Sequence, residues 1–213
     1  MTTEEKRESG SLRDQRNSAQ KKRSQIAWFL LLVAASVAAD QWTKRLALNA
    51  FRAYEHIPLI PGVLEFCRIE NRGAAFGILQ GHMVFFYGIT AVVCLLILTV
   101  TIKTPAEKKY NGFLLALAMI VSGAIGNLID RVVRQSVVDF IYFVPIDFPV
   151  FNVADIFVTC GTGLLMILIL WFYRDGDFAF LSSSTVCPTA SDAHGSARNQ
   201  KEQENRTEKK KLK

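Results

Sequence analysis

The chain has 213 residues, of which 50% are hydrophobic and 21% charged, with a formal net charge of +6. The charges crowd into the two ends, so the middle is too apolar for an ordinary soluble domain, and the positive excess describes tails, with no nucleic-acid-binding face implied. Four cysteines without a C-x-x-C and three scattered histidines without an H-E-x-x-H support neither a disulfide framework nor metal catalysis, and no cofactor is expected.

Residues 1–25 are polar and lack apolar periodicity, which predicts a disordered tail. The first apolar run, IAWFLLLVAASVAA at 26–39, is short for a crossing that takes roughly 20 residues, so its helix must continue into Asp40-Gln41-Trp42-Thr43. Val37-Ala38-Ala39 could mark a cleaved secretory signal; the charged leader in front and the residues that follow argue against it. Within the loop 49–82, Pro58, Pro61 and Gly62 precede VLEFCRIE, a part-alternating run that reads as a strand. Met83–Ile102 carries no charge and reads as the second crossing, Gly112–Ile129 as the third and Ile156–Tyr173 as the fourth. The connection 130–155, with VVDFIYFVPIDFPVF, reads as extended chain against the membrane surface. Residues 176–213 form a second polar tail.

These elements predict an all-α membrane protein with four transmembrane helices and a small extracytoplasmic β-sheet, its membrane domain spanning 26–175. Of the 25 lysines and arginines, seven precede residue 26, three lie in 103–109 and eight follow from Arg174 onward, while the two long connections share the rest. The bias puts both termini in the cytoplasm and the long loops outside.

The polar residues at the ends of the spans then gather at one face: Asp40, Lys44, Asn71, Asn127, Asp130, Arg131, Asp139, Asn152 and Asp155. Asp40 and Lys44 share a helix face and read equally as an interfacial pair or a functional one. Asn152 suits the N-cap of the fourth helix, with Asp155 at N3, where the helix dipole favours a carboxylate. Asp130 reads as a rim or structural acid. Asp139 sits among Val137, Val138, Phe140 and Ile141, where a carboxyl is desolvated and holds its proton more tightly. The loop can bring Asp155 beside it, and two acids in one apolar site share a proton, one serving as base and the other as acid. A proton-coupled transporter using the same pair as a relay is the alternative, although it predicts polar residues deep within the spans.

Five blocks, DQWTK at 40–44, NRGAAFG at 71–77, GNLIDR at 126–131, VVDF at 137–140 and FNVAD at 151–155, resemble those of the lipoprotein signal peptidases, the type II signal peptidases of bacteria. The resemblance covers about residues 26–173. It implies an aspartic endopeptidase of the bacterial cytoplasmic membrane with its active site at the outer face. Its substrates are prolipoproteins cut just before a diacylglyceryl-modified cysteine, and its other partners are membrane lipids. By resemblance Asp139 and Asp155 are the catalytic pair, and Asn71, Gly73, Asn127, Arg131 and Asn152 form a polar, substrate-binding shell. Asp40 and Lys44 become a structural pair, and Asp130 belongs to its block without being a catalyst.

Overall fold

The computed structural model describes residues 3–73 and 83–182. Helix α1 runs from Thr3 to Ala50, followed by strands β1 (His56–Ile60) and β2 (Leu64–Asn71). Helix α2 (Met83–Lys103) leads through a short 3-10 turn to α3 (Asn111–Arg134), then β3 (Val137–Phe143) and α4 (Val153–Ile167), which ends in a π-turn at Leu168–Phe172. Among the described residues, four helices are long and apolar enough to cross a membrane. A separate unit from Asp175 onward contains a 3-10 turn and a four-residue helix, α5 (Ala179–Ser182). The remainder of the second predicted tail lies outside the described residues.

α1 departs from the expected disordered tail, because its helix begins at Thr3 rather than near Ile26. Residues 12–25 have no apolar stripe, but they are rich in Arg, Gln, Lys and Ala, and no glycine or proline interrupts 11–50. Once the membrane segment supplies the nucleus, extending a helix through good helix formers needs no further nucleation. Among the spans α3 is central: half of its most apolar stretch is buried, against 6 to 17% in the other three. Its glycines let α4 approach closely. A Cβ on Gly123 would lie 2.3 Å from the Ala154 carbonyl oxygen, and one on Gly161 of α4 would lie 2.9 Å from that of Ala116.

The sheet is antiparallel in the order β1-β2-β3. The β1–β2 hairpin turns at Pro61-Gly62-Val63, where Gly62 takes a φ of +71° that a side chain would strain. β2 was legible as a strand; its partner β3 comes from the other long connection, 130–155, which was read only as extended chain. After β3 the chain reverses, and Phe151 exchanges backbone hydrogen bonds with Ile141, donating N–H to its oxygen at 2.9 Å and accepting from its N–H at 2.9 Å. That single bridge sets the start of α4 beside the strand that carries Asp139.

Candidate active site

α4 starts on a capping box. Asn152 is the N-cap; its side-chain oxygen accepts from the Asp155 N–H at 3.1 Å, and Asp155 Oδ2 accepts from the Asn152 N–H at 3.0 Å. With its oxygen occupied, the Asn152 amide can offer only Nδ2 elsewhere. That nitrogen donates to Asp139 Oδ1 at 2.6 Å and to Asn127 Oδ1 at 3.1 Å. The residue that starts the helix therefore also ties the two aspartates together.

The other amides are oriented by the same logic. In the turn after β2, Gly73 N–H donates to Asn71 Oδ1 at 2.9 Å, which leaves Asn71 Nδ2 to donate to Asp139 Oδ2 at 3.0 Å. On α3, Lys44 Nζ donates to Asn127 Oδ1 at 2.9 Å, and Asn127 Nδ2 donates to Asp155 Oδ1 at 2.8 Å. An ammonium has donors only, so it dictates which end of Asn127 faces the acid. Each carboxylate thus accepts from two neutral donors, and no cation pairs directly with either among the described residues. Both line a cavity of about 640 Å³, along with Asn71, Gly73, Asn127 and Arg131. Asp139 is 4% exposed. Burial, and then the charge of nearby Asp155, push its carboxyl up to about 7, against the lowering effect of Asn71 and Asn152.

Arg131 spans the cavity wall. Its guanidinium donates to the carbonyls of Asn127 and Gly73, each at 3.2 Å, and lies 4.4 Å from the Phe86 ring centre. Its Nε is buried with no partner among the described residues.

The Asp40–Lys44 pair is present at 2.9 Å, with the two side chains 0 and 1% exposed. It is larger than the sequence indicated. Asp130, also 1% exposed, makes a second ion pair with Lys44 at 2.9 Å, and Gln41 Nε2 bridges the two acids at 3.2 Å each. Asp40 Oδ1 accepts from the Ala154 N–H at 2.9 Å, in the first turn of α4, and Asp130 Oδ2 accepts from the Val138 N–H at 3.3 Å. One buried ammonium thereby fastens α1 to α3, α4 and the residue before Asp139. Gln41 carried no signal beyond its place in DQWTK, and Asp130 could be linked to Lys44 only in three dimensions. The glycines of SGAIGN at 122–127 serve the protein's own packing: a Cβ on Gly126 would lie 2.5 Å from Asp40 Oδ2. The AAFG part of NRGAAFG lies outside the described residues. His56 and Cys67, read as scattered, face each other across β1–β2 with Cys67 Sγ 3.4 Å from His56 Nε2, but neither lines the cavity.

The model of the signal peptidase (SPase) II family matches residues 32–171, the stretch that contains every residue of this site. The chain belongs to the signal peptidase II family. Relatives of this signal peptidase include the lipoprotein signal peptidase of Shouchella clausii, 47% identical over 146 residues that cover 68% of this chain and 93% of that one. That of Brevibacillus brevis is 44% identical over 140 residues, covering 66% and 93%. A bacterial membrane enzyme solved by the in meso method at 2.3 Å resolution superposes with a TM-score of 0.63 at 34% identity, covering 68% of this chain and 88% of that one. The chain is thus a multi-pass membrane peptidase, and nothing in these relationships supports the transporter alternative.

Proposed function

We propose that the chain is an aspartic endopeptidase that removes signal peptides from lipid-modified prolipoproteins, with Asp139 and Asp155 as its catalytic pair. The observation that carries this reading is the Asn152 bridge: one buried residue donates to both acids, from its side-chain amide to Asp139 and from its backbone N–H to Asp155, and both acids line a single cavity. With Asp139 titrating near 7, the pair can hold one proton at neutral pH. Asp155 then takes a proton from water as the water oxygen attacks the scissile carbonyl carbon, and Asp139 gives its proton to the carbonyl oxygen. On collapse, the proton held by Asp155 passes to the departing amide nitrogen, and Asp139 recovers its own from the diol. Asn71 and Asn152 hold Asp139 in place through both steps.

The cavity also reaches into the hydrocarbon face of the spans, through Ala124, Ile156, Val158 and Cys160. A substrate whose cysteine carries a diacylglyceryl group can leave its lipid in the bilayer while the scissile bond meets the acids, an arrangement compatible with a cut just before that cysteine. The basic bias of the tails supports an outward-facing site with both termini in the cytoplasm. The deciding experiment incubates detergent-purified protein with one prolipoprotein in lipidated and unlipidated forms. Cleavage confined to the lipidated form supports the reading, and equal cleavage of both removes the lipid requirement. A cysteine placed near Pro61 should react with an impermeant thiol reagent in intact cells, whereas cysteines at 12–20 should not; labelling of the tail would reverse the orientation.

A further inference from the structure

At the end of the bundle away from the carboxylates, α1 and the start of α3 part around a second cavity, of about 850 Å³. Its α1 wall runs from Lys21 to Leu32, while the family match begins only at residue 32. The wall therefore joins the forward extension of α1, through Lys21, Ser24 and Gln25, to the start of its membrane segment, through Trp28, Phe29 and Leu32.

The wall is graded along the helices. Trp28, Phe29, Leu32, Leu114 and Leu115 make an apolar floor further into the spans, and Lys21, Ser24, Gln25, Lys108 and Asn111 make a polar rim, with Glu107 its single acid. The rim is braced. Lys22 Nζ donates to the carbonyls of Thr101, at 3.1 Å, and Thr104 and to Gln25 Oε1, and Gln25 Nε2 donates to the Pro105 carbonyl at 2.9 Å. These bonds satisfy carbonyls at the end of α2 and lock the α1 extension against the α2–α3 connection. Lys21 and Lys108 remain exposed at the mouth. α3 begins there with no side-chain cap and no acid in its first turn, so the positive end of its dipole adds to the lysines.

A small soluble anion has no use for a floor of tryptophan, phenylalanine and leucine that continues into membrane-spanning helices. A molecule with phosphate at one end and hydrocarbon at the other matches both parts. We propose that this cavity binds an anionic phospholipid, its headgroup between Lys21 and Lys108 and an acyl chain along Trp28, Leu32 and Leu115. A basic residue near an anionic headgroup contributes roughly fivefold in affinity. Glu107 offsets one of the two lysines, so phosphatidylglycerol should be favoured over phosphatidylcholine by about fivefold.

Trp28 supplies the readout. The full chain carrying Trp42→Phe and Trp171→Phe keeps it as the only tryptophan, and both replaced residues are exposed and neither lines the cavity. This protein is placed in phosphatidylcholine vesicles holding a minor fraction of lipid brominated on its acyl chains. Brominated phosphatidylglycerol should quench Trp28 more than brominated phosphatidylcholine, and Lys21→Gln with Lys108→Gln should abolish the difference while prolipoprotein cleavage continues. Equal quenching by the two lipids in the parent protein overturns the proposal without any lysine variant, as does a preference that survives the double substitution. Loss of the preference on adding inorganic phosphate would instead identify a site for the free anion and would equally overturn it.

Discussion

Two pairs of aspartates lie at one end of this bundle, and they are handled in opposite ways. Asp40 and Asp130 share a buried ammonium, while among the described residues Asp139 and Asp155 receive only amide and backbone donors. A buried counter-ion shared by two carboxylates is a fixed link between the elements that carry them, which suits a fastening between helices. Neutral donors position a carboxylate without removing its reason to keep a proton, and that suits a pair that must exchange one. On the proposed function, the difference between the structural and the catalytic pair lies in their partners, since the acid is the same residue type in all four places.

The sharpest way to break the comparison is to remove one member of each pair. Asp139→Asn and Asp155→Asn should each reduce kcat/KM by roughly 10²–10⁴-fold or more, with thermal unfolding in detergent close to the parent's because shape and packing persist. Asp130→Asn should leave substantial activity, since Lys44 keeps Asp40; an inactive but folded Asp130→Asn would erase the distinction. Lys44→Met should be the most damaging change to the fold, at about 3–5 kcal/mol, because it strands two buried acids. Adding Asp40→Asn and Asp130→Asn to that variant should recover much of the lost melting temperature.

Titration sharpens the comparison from the other side. The folded protein holds the Asp139 proton more tightly than the unfolded chain does, so its contribution to stability is complete below about pH 4 and is lost as pH rises through about 7. Activity that needs this proton should fall above about pH 7. Infrared difference spectra should show a protonated carboxyl band at neutral pH that is absent in Asp139→Asn. In Asp155→Asn the band should persist, because burial remains, but with a lower midpoint, because the neighbouring charge is gone. A band that vanishes in Asp155→Asn and survives in Asp139→Asn would exchange the acid and base. The smallest effect is expected from Asn71→Leu, which removes a donor to the charged form and should move the basic limb of the pH profile to higher pH.

What could be read from the chain depended on how local the information was. Spans follow from runs of hydrocarbon, and the capping box of α4 from two residues three apart, so both were legible. β3 was visible as extended chain but not as a partner of β2, because antiparallel pairing between residues some 70 apart leaves no local mark. Asp130 looked like a rim acid since the lysine that neutralises it is on another helix. The glycines of SGAIGN announced a close approach without saying to what. The helical character of residues 12–25 was masked by the absence of an apolar face, which a helix continued from a neighbour does not require.

The capping box that begins α4 has a mechanical corollary. If Asp155 is the base, the carboxylate that receives the water proton is the one that closes the first turn of its own helix. Each turnover would neutralise that end of the box and then restore it, so the helix start would slacken and retighten in step with bond cleavage. Chemistry and local rigidity would share one oscillation, and the moment of least constraint would fall on the tetrahedral intermediate, with the box closing again as the peptide bond breaks.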